Sequence, residues 1–282
     1  MASTAAEVLS PLEMLRSSWV FQTAGASELQ ALAGHCTVER YLKGTRIARQ
    51  GLRGAGLMLL SSGLAKGTVA SPDGRGDFLI TVIWPGDVFG ETVVFERQPA
   101  LGTVTAVTNC DILQVPRAPL LETCHKSPAF TLRLMAAACD KLQTTLDLAV
   151  SLRFDDVSSR LYRRIAHFAR FESECAPEGK AIRVHHGLSQ QELADSIGAS
   201  REALNKIVSA WQRAGLVKWG RGEILLNDPA ALARQLPPAL RDLPDPAGSS
   251  AALAGHPPGQ RRTGPRRRDG EVGLPVPRPR LP

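Results

Sequence analysis

A chain of 282 residues, 43% of them hydrophobic, has enough apolar material for more than one core, and its net charge of +7 with a pI near 9.5 suits a polyanionic partner. Location qualifies that: eight arginines and four acids lie from Pro237 onward, so +4 of the +7 belongs to the tail. Five cysteines, Cys36, Cys110, Cys124, Cys139 and Cys175, are odd in number, widely spaced and without a C-x-x-C pair. They give no sign of a disulfide framework or a zinc site and fit reduced thiols in a cytoplasm. No basic leader with an apolar run opens the chain, and nowhere do eighteen apolar residues follow one another, so neither export nor membrane anchoring is expected.

In chain order, Leu9, Leu12 and Leu15, then Leu29 and Leu32, recur at helical spacing and predict short helices over 8–34. From Cys36 to Val115 the rhythm changes to short apolar or alternating runs such as "LMLLSSG", "DFLITVIW" and "DILQV", separated by "KGT", "SPDGRG" and "PGD". Many short strands with tight turns predict a β-sandwich or jelly roll. A long helix follows, with Ser127 as its cap and Pro128 in its first position. Along it Leu132, Met135, Cys139, Leu142, Leu146, Ala149 and Arg153 step by threes and fours over three heptads. A helix packed only within its own domain would also be apolar. A second stripe, Leu134, Ala138, Lys141, Thr145, Leu148 and Leu152, offers one face to the β-domain and leaves the first for a twin chain. Residues 154–171 read as a further amphipathic helix, and the polar connection after them has room for one short strand, with His185 and His186 as solvated loop residues.

The segment "LSQQELADSIGASREALNKIVSAWQRAGLVKWGRGEILL" carries the chemistry. Ser189 and Glu192 have capping-box spacing, Gly198 suits a turn, and Ser200 caps a second helix whose Leu204, Ile207, Val208 and Trp211 recur at helical intervals. Two helices joined by such a turn form a helix-turn-helix, whose second helix enters the major groove by its first turns. The side chains there are Arg201, Glu202, Asn205 and Lys206. A guanidinium grips guanine O6 and N7, a carboxylate accepts from cytosine and asparagine suits adenine. Ser189, Gln190, Gln191 and Ser200 stand where helix starts meet phosphates, and Lys218 and Arg221, on a strand-turn-strand wing, are further phosphate candidates. Glu202 and Lys206 also have the spacing of a solvated ion pair, but that leaves box, turn, cap and wing unexplained. No nucleophile with a base at a recognisable spacing, no H-E-x-x-H and no phosphate-binding glycine motif opening a helix is present, so an enzyme is not expected.

In this order, "KGT" with Gly51, "SSG", "SPDGRG", "PGDVFGE", "LRFDDVSSRL" and "SRE" make residues 20–228 resemble the Crp/Fnr family of bacterial transcription regulators. The resemblance implies an α+β chain: N-terminal helices over 1–35, a cyclic-nucleotide-binding-like jelly roll over 36–126, a dimerisation helix over 127–153 and a winged helix-turn-helix over 154–228. Over 229–282 a Pro/Arg-rich tail is expected to be disordered. The implied partners are double-stranded DNA with a pseudo-palindromic site, a second copy docked through Leu132, Met135, Cys139, Leu142, Leu146 and Ala149, and, as a further candidate, RNA polymerase. Lys206 stands where the cyclic-AMP receptor protein has an arginine, which softens base discrimination there.

In cyclic-AMP-binding members the effector cassette runs from a glycine and glutamate, here Gly90 and Glu91, to an arginine and a serine, here Leu101 and Gly102. Thr145 keeps the place of a base-contacting threonine, while the serine beside it is Leu146. Burying a phosphate without a cation or aligned donors is strongly unfavourable, so cyclic AMP is disfavoured as effector. Arg97, four residues before Leu101, reads more readily as a surface arginine than as an inward one. An iron-sulfur cluster is disfavoured because Cys36 stands alone before residue 100. Haem stays open through His35 or Cys36, although such a lone pair is more often structural. The rival class is a ligand-sensing module whose helix-turn-helix serves protein contact only.

Overall fold

The computed structural model describes residues 9–54, 56–71, 77–95, 98–169, 173–175 and 181–235. Helix α1 (Pro11–Ser17) starts from a reciprocal capping box between Ser10 and Glu13, and α2 (Ala26–Ala33) follows it. Eight strands then build two antiparallel sheets. One holds β1 (Thr37–Tyr41), β3 (Gly56–Ser62), β6 (Val88–Phe89) and β8 (Cys110–Pro116), in the order β1-β8-β3-β6. The other holds β2 (Arg46–Ala48), β4 (Ala65–Ala70), β5 (Asp77–Ile83) and β7 (Thr103–Ala106), in the order β2-β7-β4-β5. This is the jelly roll that the strand pattern predicts.

Strand β3 shows why its sequence is an unbroken apolar run rather than an alternation. Leu57 and Leu59 join the core shared with α1 and α2, whereas Met58 and Leu60 join the core between the sheets, so both faces are buried. Two helices stand where the sequence pattern predicts none: α3 (Glu91–Phe95), inside the cassette, and α4 (Arg117–Lys126), closing the jelly roll. The apolar signal of α4 is thin, with only Leu120 and Thr123 buried.

Helix α5 (Pro128–Phe154) begins as expected, with the Phe130 N–H donating to the Ser127 hydroxyl at 3.3 Å. Its inner face is Phe130, Leu134 and Ala137. Of the expected inner stripe Leu134 is buried and Leu148 half-buried, whereas Ala138, Lys141, Thr145 and Leu152 are exposed and Ala137 takes the inner place beside Leu134. On the opposite face Leu132, Met135, Leu142 and Leu146 are each more than half exposed, and Cys139 and Ala149 are exposed beside them.

Helix α6 (Val157–Ala169) is capped by Asp156, which accepts the Ser159 N–H at 2.7 Å. Two strands, not one, occupy the connection: β9 (Ser173–Cys175) and β10 (Ile182–His185), which join β11 (Val217–Trp219) and β12 (Glu223–Leu226) in the order β11-β12-β10-β9. The expected start of the tail at 229 is corrected by α9 (Pro229–Arg234), capped by Asp228 and anchored by buried Leu232. The expectation of disorder for 236–282, the role of Arg97 and most of "SPDGRG" lie outside the described residues.

One apolar cluster bridges the two halves: Leu64, Leu79, Val82 and Trp84 of the jelly roll pack with Phe168, Val184, Leu193 and Ile197. Phe168, fully buried, lies edge-on to Trp84 at 6.2 Å and stacks on His186 at 6.0 Å.

Candidate nucleic-acid interface and effector cavity

Helices α7 (Gln190–Ser196) and α8 (Arg201–Arg213) form the expected pair. The Ser189 hydroxyl accepts the Glu192 N–H at 3.2 Å, and the Glu192 carboxylate accepts the Ser189 N–H at 2.7 Å. Gly198 takes a φ of +58°, a left-handed turn position in which a side chain would be strained, and Ser200 then caps α8 through the Ala203 N–H at 3.1 Å. Leu204, Val208 and Trp211 are buried. That fixes the rotation of α8 and leaves Arg201, Glu202 and Lys206 exposed, with Asn205 half-buried. A backbone hydrogen bond and the Ser200 hydroxyl hold the Glu202 carboxyl below its ordinary range, so it is an ionised acceptor at neutral pH.

Two residues that sequence reasoning missed or misread hold this pair in place. Arg164 of α6 is buried and donates from Nη2 to the carbonyl of Ser196 at 2.7 Å, at the negative end of α7. Burial pushes it down to about 10, which still leaves it a cation at neutral pH. Its place beside Leu161, Ile165 and Phe168 on one helical face was the available signal. His186, expected to be solvated, is 1% exposed. It stacks on Phe168 and meets Trp219 at a tilt, and its Nδ1 accepts the Leu188 N–H at 3.1 Å. Its Nε2 is buried without a partner among the described residues, and burial pushes it down to about 4. His185 is half-buried at the end of β10, 3.5 Å from the Glu223 carboxylate.

Of the phosphate candidates, Ser189, Gln191, Ser200, Lys218 and Arg221 are exposed and Gln190 is half-buried. Gln191 donates to Asp195 at 2.8 Å. Ser189 and Arg221 also line a cleft of about 740 Å³ between the two halves, facing Lys43, Lys66 and Thr108. Across it Lys66 of β4 forms an ion pair with Glu192. Burial pushes the Glu192 carboxyl up, but hydrogen bonds from Lys66 and Ser189 outweigh it and hold it below the ordinary range.

The cassette residues come together around a second cavity, of about 650 Å³, between the two sheets and the inner side of α5. Gly90, Glu91, Leu101, Gly102 and Thr145 all line it. Glu91 is ion-paired with Lys141, whose ammonium also donates to the Val88 carbonyl. Leu101 is 69% exposed. At Gly102 a Cβ would lie 2.7 Å from the Thr68 carbonyl oxygen, so this backbone admits no side chain there, a serine included. The Thr145 hydroxyl donates to the Lys141 carbonyl at 2.8 Å. Of the open haem candidates, His35 is exposed, and the Cys36 thiol donates to the Leu32 carbonyl and is pushed up to about 11 by burial.

A jelly roll with an inner cavity, a long helix and a winged helix-turn-helix with bare leading charges define a two-part regulator in which one part can sense and the other can read a duplex. Comparison with known proteins agrees. Residues 38–127 match the cyclic nucleotide-binding domain and residues 159–235 the Crp-like helix-turn-helix domain. A CRP-like cAMP-activated global transcriptional regulator of Mycobacterium tuberculosis is 30% identical over 224 residues, 79% of this chain and 98% of the relative. The cAMP-activated global transcriptional regulator CRP of Pasteurella multocida is 25% identical over 191 residues, 67% of this chain and 89% of the relative. Among solved structures, FixK2 of Bradyrhizobium japonicum superposes with a TM-score of 0.63 at 18% identity, covering 71% of this chain and 96% of that one. The chain belongs to the Crp/Fnr family of transcription regulators.

Proposed function

We propose that the protein is a homodimeric, sequence-specific DNA-binding regulator whose two α8 helices enter successive major grooves about 34 Å apart on a pseudo-palindrome. Arg201, Glu202, Asn205 and Lys206 meet base edges, and Ser189, Gln190, Gln191, Ser200, Lys218 and Arg221 meet phosphates. The observation that carries this reading is α8 itself, apolar side locked in the core and leading charges bare. The exposed stripe of Leu132, Met135, Cys139, Leu142, Leu146 and Ala149 supports a parallel pairing of two α5 helices. A cytoplasmic place, contact with RNA polymerase and the absence of enzymatic activity follow from the same reading.

The cavity beside α5 is the effector site in this reading. Its relatives are named as cAMP-activated, but the side chains of Leu101 and Gly102 here offer a cyclic phosphate neither a cation nor a hydroxyl. In this reading the effector is a molecule that needs no cation or hydroxyl from positions 101 and 102. The Lys66–Glu192 pair docks the start of α7 on the jelly roll, so occupancy of the cavity acts by shifting the balance between this placement and one in which α7 meets phosphates.

Selection of genomic fragments by wild type and by Arg201→Ala tests the reading. Wild type enriches a shared motif and the variant loses that preference while staying folded. Equal enrichment by both would contradict it and favour protein contact as the role of the helix-turn-helix.

A further inference from the structure

Resting on the reading of the cavity as an effector site, two sets stand out among the polar groups of its lining, which also includes Asp87 and Asp140. The first set is already satisfied by the protein. Glu91 is taken by Lys141, and the hydroxyls of Thr144 and Thr145 donate to the Asp140 and Lys141 carbonyls at 2.9 and 2.8 Å. The hydroxyl of Thr81 donates to the Val82 carbonyl at 3.2 Å. A ribose would find these groups engaged.

The second set is three guanidinium groups. Arg46, Arg49 and Arg53 all line the cavity, and none makes a side-chain hydrogen bond or ion pair with a described residue. Their position answers the gap at Leu101. The segment that carries Arg49 and Arg53 runs beside the end of the cassette: the Gly51 N–H donates to the Ala100 carbonyl at 2.9 Å, and the Ala100 N–H to the Leu52 carbonyl at 2.9 Å. The Gln50 N–H donates to the Thr103 hydroxyl at 3.2 Å. A cation absent from the cassette is thus available from Arg49 and Arg53, in the turn that follows β2. Around it the walls are apolar, with Ile47, Leu52, Met58, Ile80, Phe89 and Val93 among them.

We infer that the cavity binds a small amphiphilic anion, an apolar body seated between the sheets with a single anionic head held at its mouth by Arg49 and Arg53, with Arg46 beside them. The head gives uncompensated guanidinium groups their fork-shaped partner, and the body removes apolar wall from water. Neither half of such a ligand calls on the ribose and cyclic-phosphate partners that this cassette lacks. A cavity of about 650 Å³ falls within the range of small-molecule sites and suits a medium-chain aliphatic or a single-ring aromatic acid.

Titration calorimetry on the full-length protein tests this with four probes: octanoate, 4-phenylbutyrate, octan-1-ol and cyclic AMP. At least one of the two carboxylates is expected to bind once per chain, at least about tenfold more tightly than the alcohol, and which one binds tells an aliphatic body from an aromatic one. The double variant Arg49→Gln, Arg53→Gln, altered only at exposed positions, should lose about tenfold in carboxylate affinity and leave alcohol binding unchanged. Carboxylates no tighter than the alcohol, a variant that binds them as wild type does, or cyclic AMP binding more tightly than either acid would overturn the inference. Fragment selection by the unliganded protein is read separately. If it fails while the carboxylate arm holds, the DNA reading falls and the ligand class stands.

Discussion

The α7–α8 pair and the effector cassette both put charged residues beside an apolar layer, but they dispose of the charge in opposite ways. On α8 Leu204, Val208 and Trp211 are buried, and Arg201, Glu202 and Lys206 are left exposed. In the cassette Glu91 and Lys141 neutralise one another, and among the described lining residues the arginines without a protein partner come from β2 and the turn after it. Charges left bare on a rigid helix await an external polyanion, whereas charges already paired are unavailable to a ligand unless the pair is broken. On the proposed reading the two regions call for different partners, one a duplex and the other a small anion.

Removing what the two regions share is the most severe way to break the contrast. Phe168→Ala takes a fully buried ring from the core where Trp84 of the jelly roll meets His186. It should cost about 3–5 kcal/mol in chemical denaturation, and a loss confined to the C-terminal half would show that the halves do not share that core. Arg201→Ala should cost about 1–3 kcal/mol of affinity for the selected site and nothing in melting temperature, because the side chain is exposed.

His186 makes a pH-dependent prediction. Burial, with His185 nearby, holds it near 4 against the pull of Glu192 and Glu223, whereas an unfolded chain titrates near 6.5. The unfolded state takes up the proton first, so this contribution is complete above 6.5 and is lost progressively as pH falls toward 4. Between pH 7 and pH 5 the loss is on the order of 1–2 kcal/mol. His186→Leu should flatten that slope in a denaturation series, and an unchanged slope would remove His186 from the account. The smallest effect belongs to the wing: Lys218→Ala and Arg221→Ala should each lower the slope of log affinity against log salt by about one while leaving the preferred motif intact.

Much of the reading half was legible because its determinants lie three or four residues apart. Ser189 with Glu192, the Gly198 turn, Ser200 with Ala203, and Ser127 with Pro128 are local spacings, and each appears in the structure where the sequence puts it. Less legible was whatever depends on distant partners. His186 is solvated on any local view and buried because β10 lies under Phe168 and Trp219. Arg49 and Arg53 are unremarkable turn residues until residues 50 and 103 become neighbours. The helix α4 escaped because its burial comes from contact with α2 and α5 rather than from a strong apolar stripe of its own.

Hydroxyl-radical footprinting of wild-type protein on its selected fragment tests the central claim most directly. The account predicts two protected half-sites of inverted sequence, centred about 10 base pairs apart, and their common loss with Arg201→Ala. A single uninterrupted patch, or protection indifferent to Arg201, would contradict a paired reading by α8.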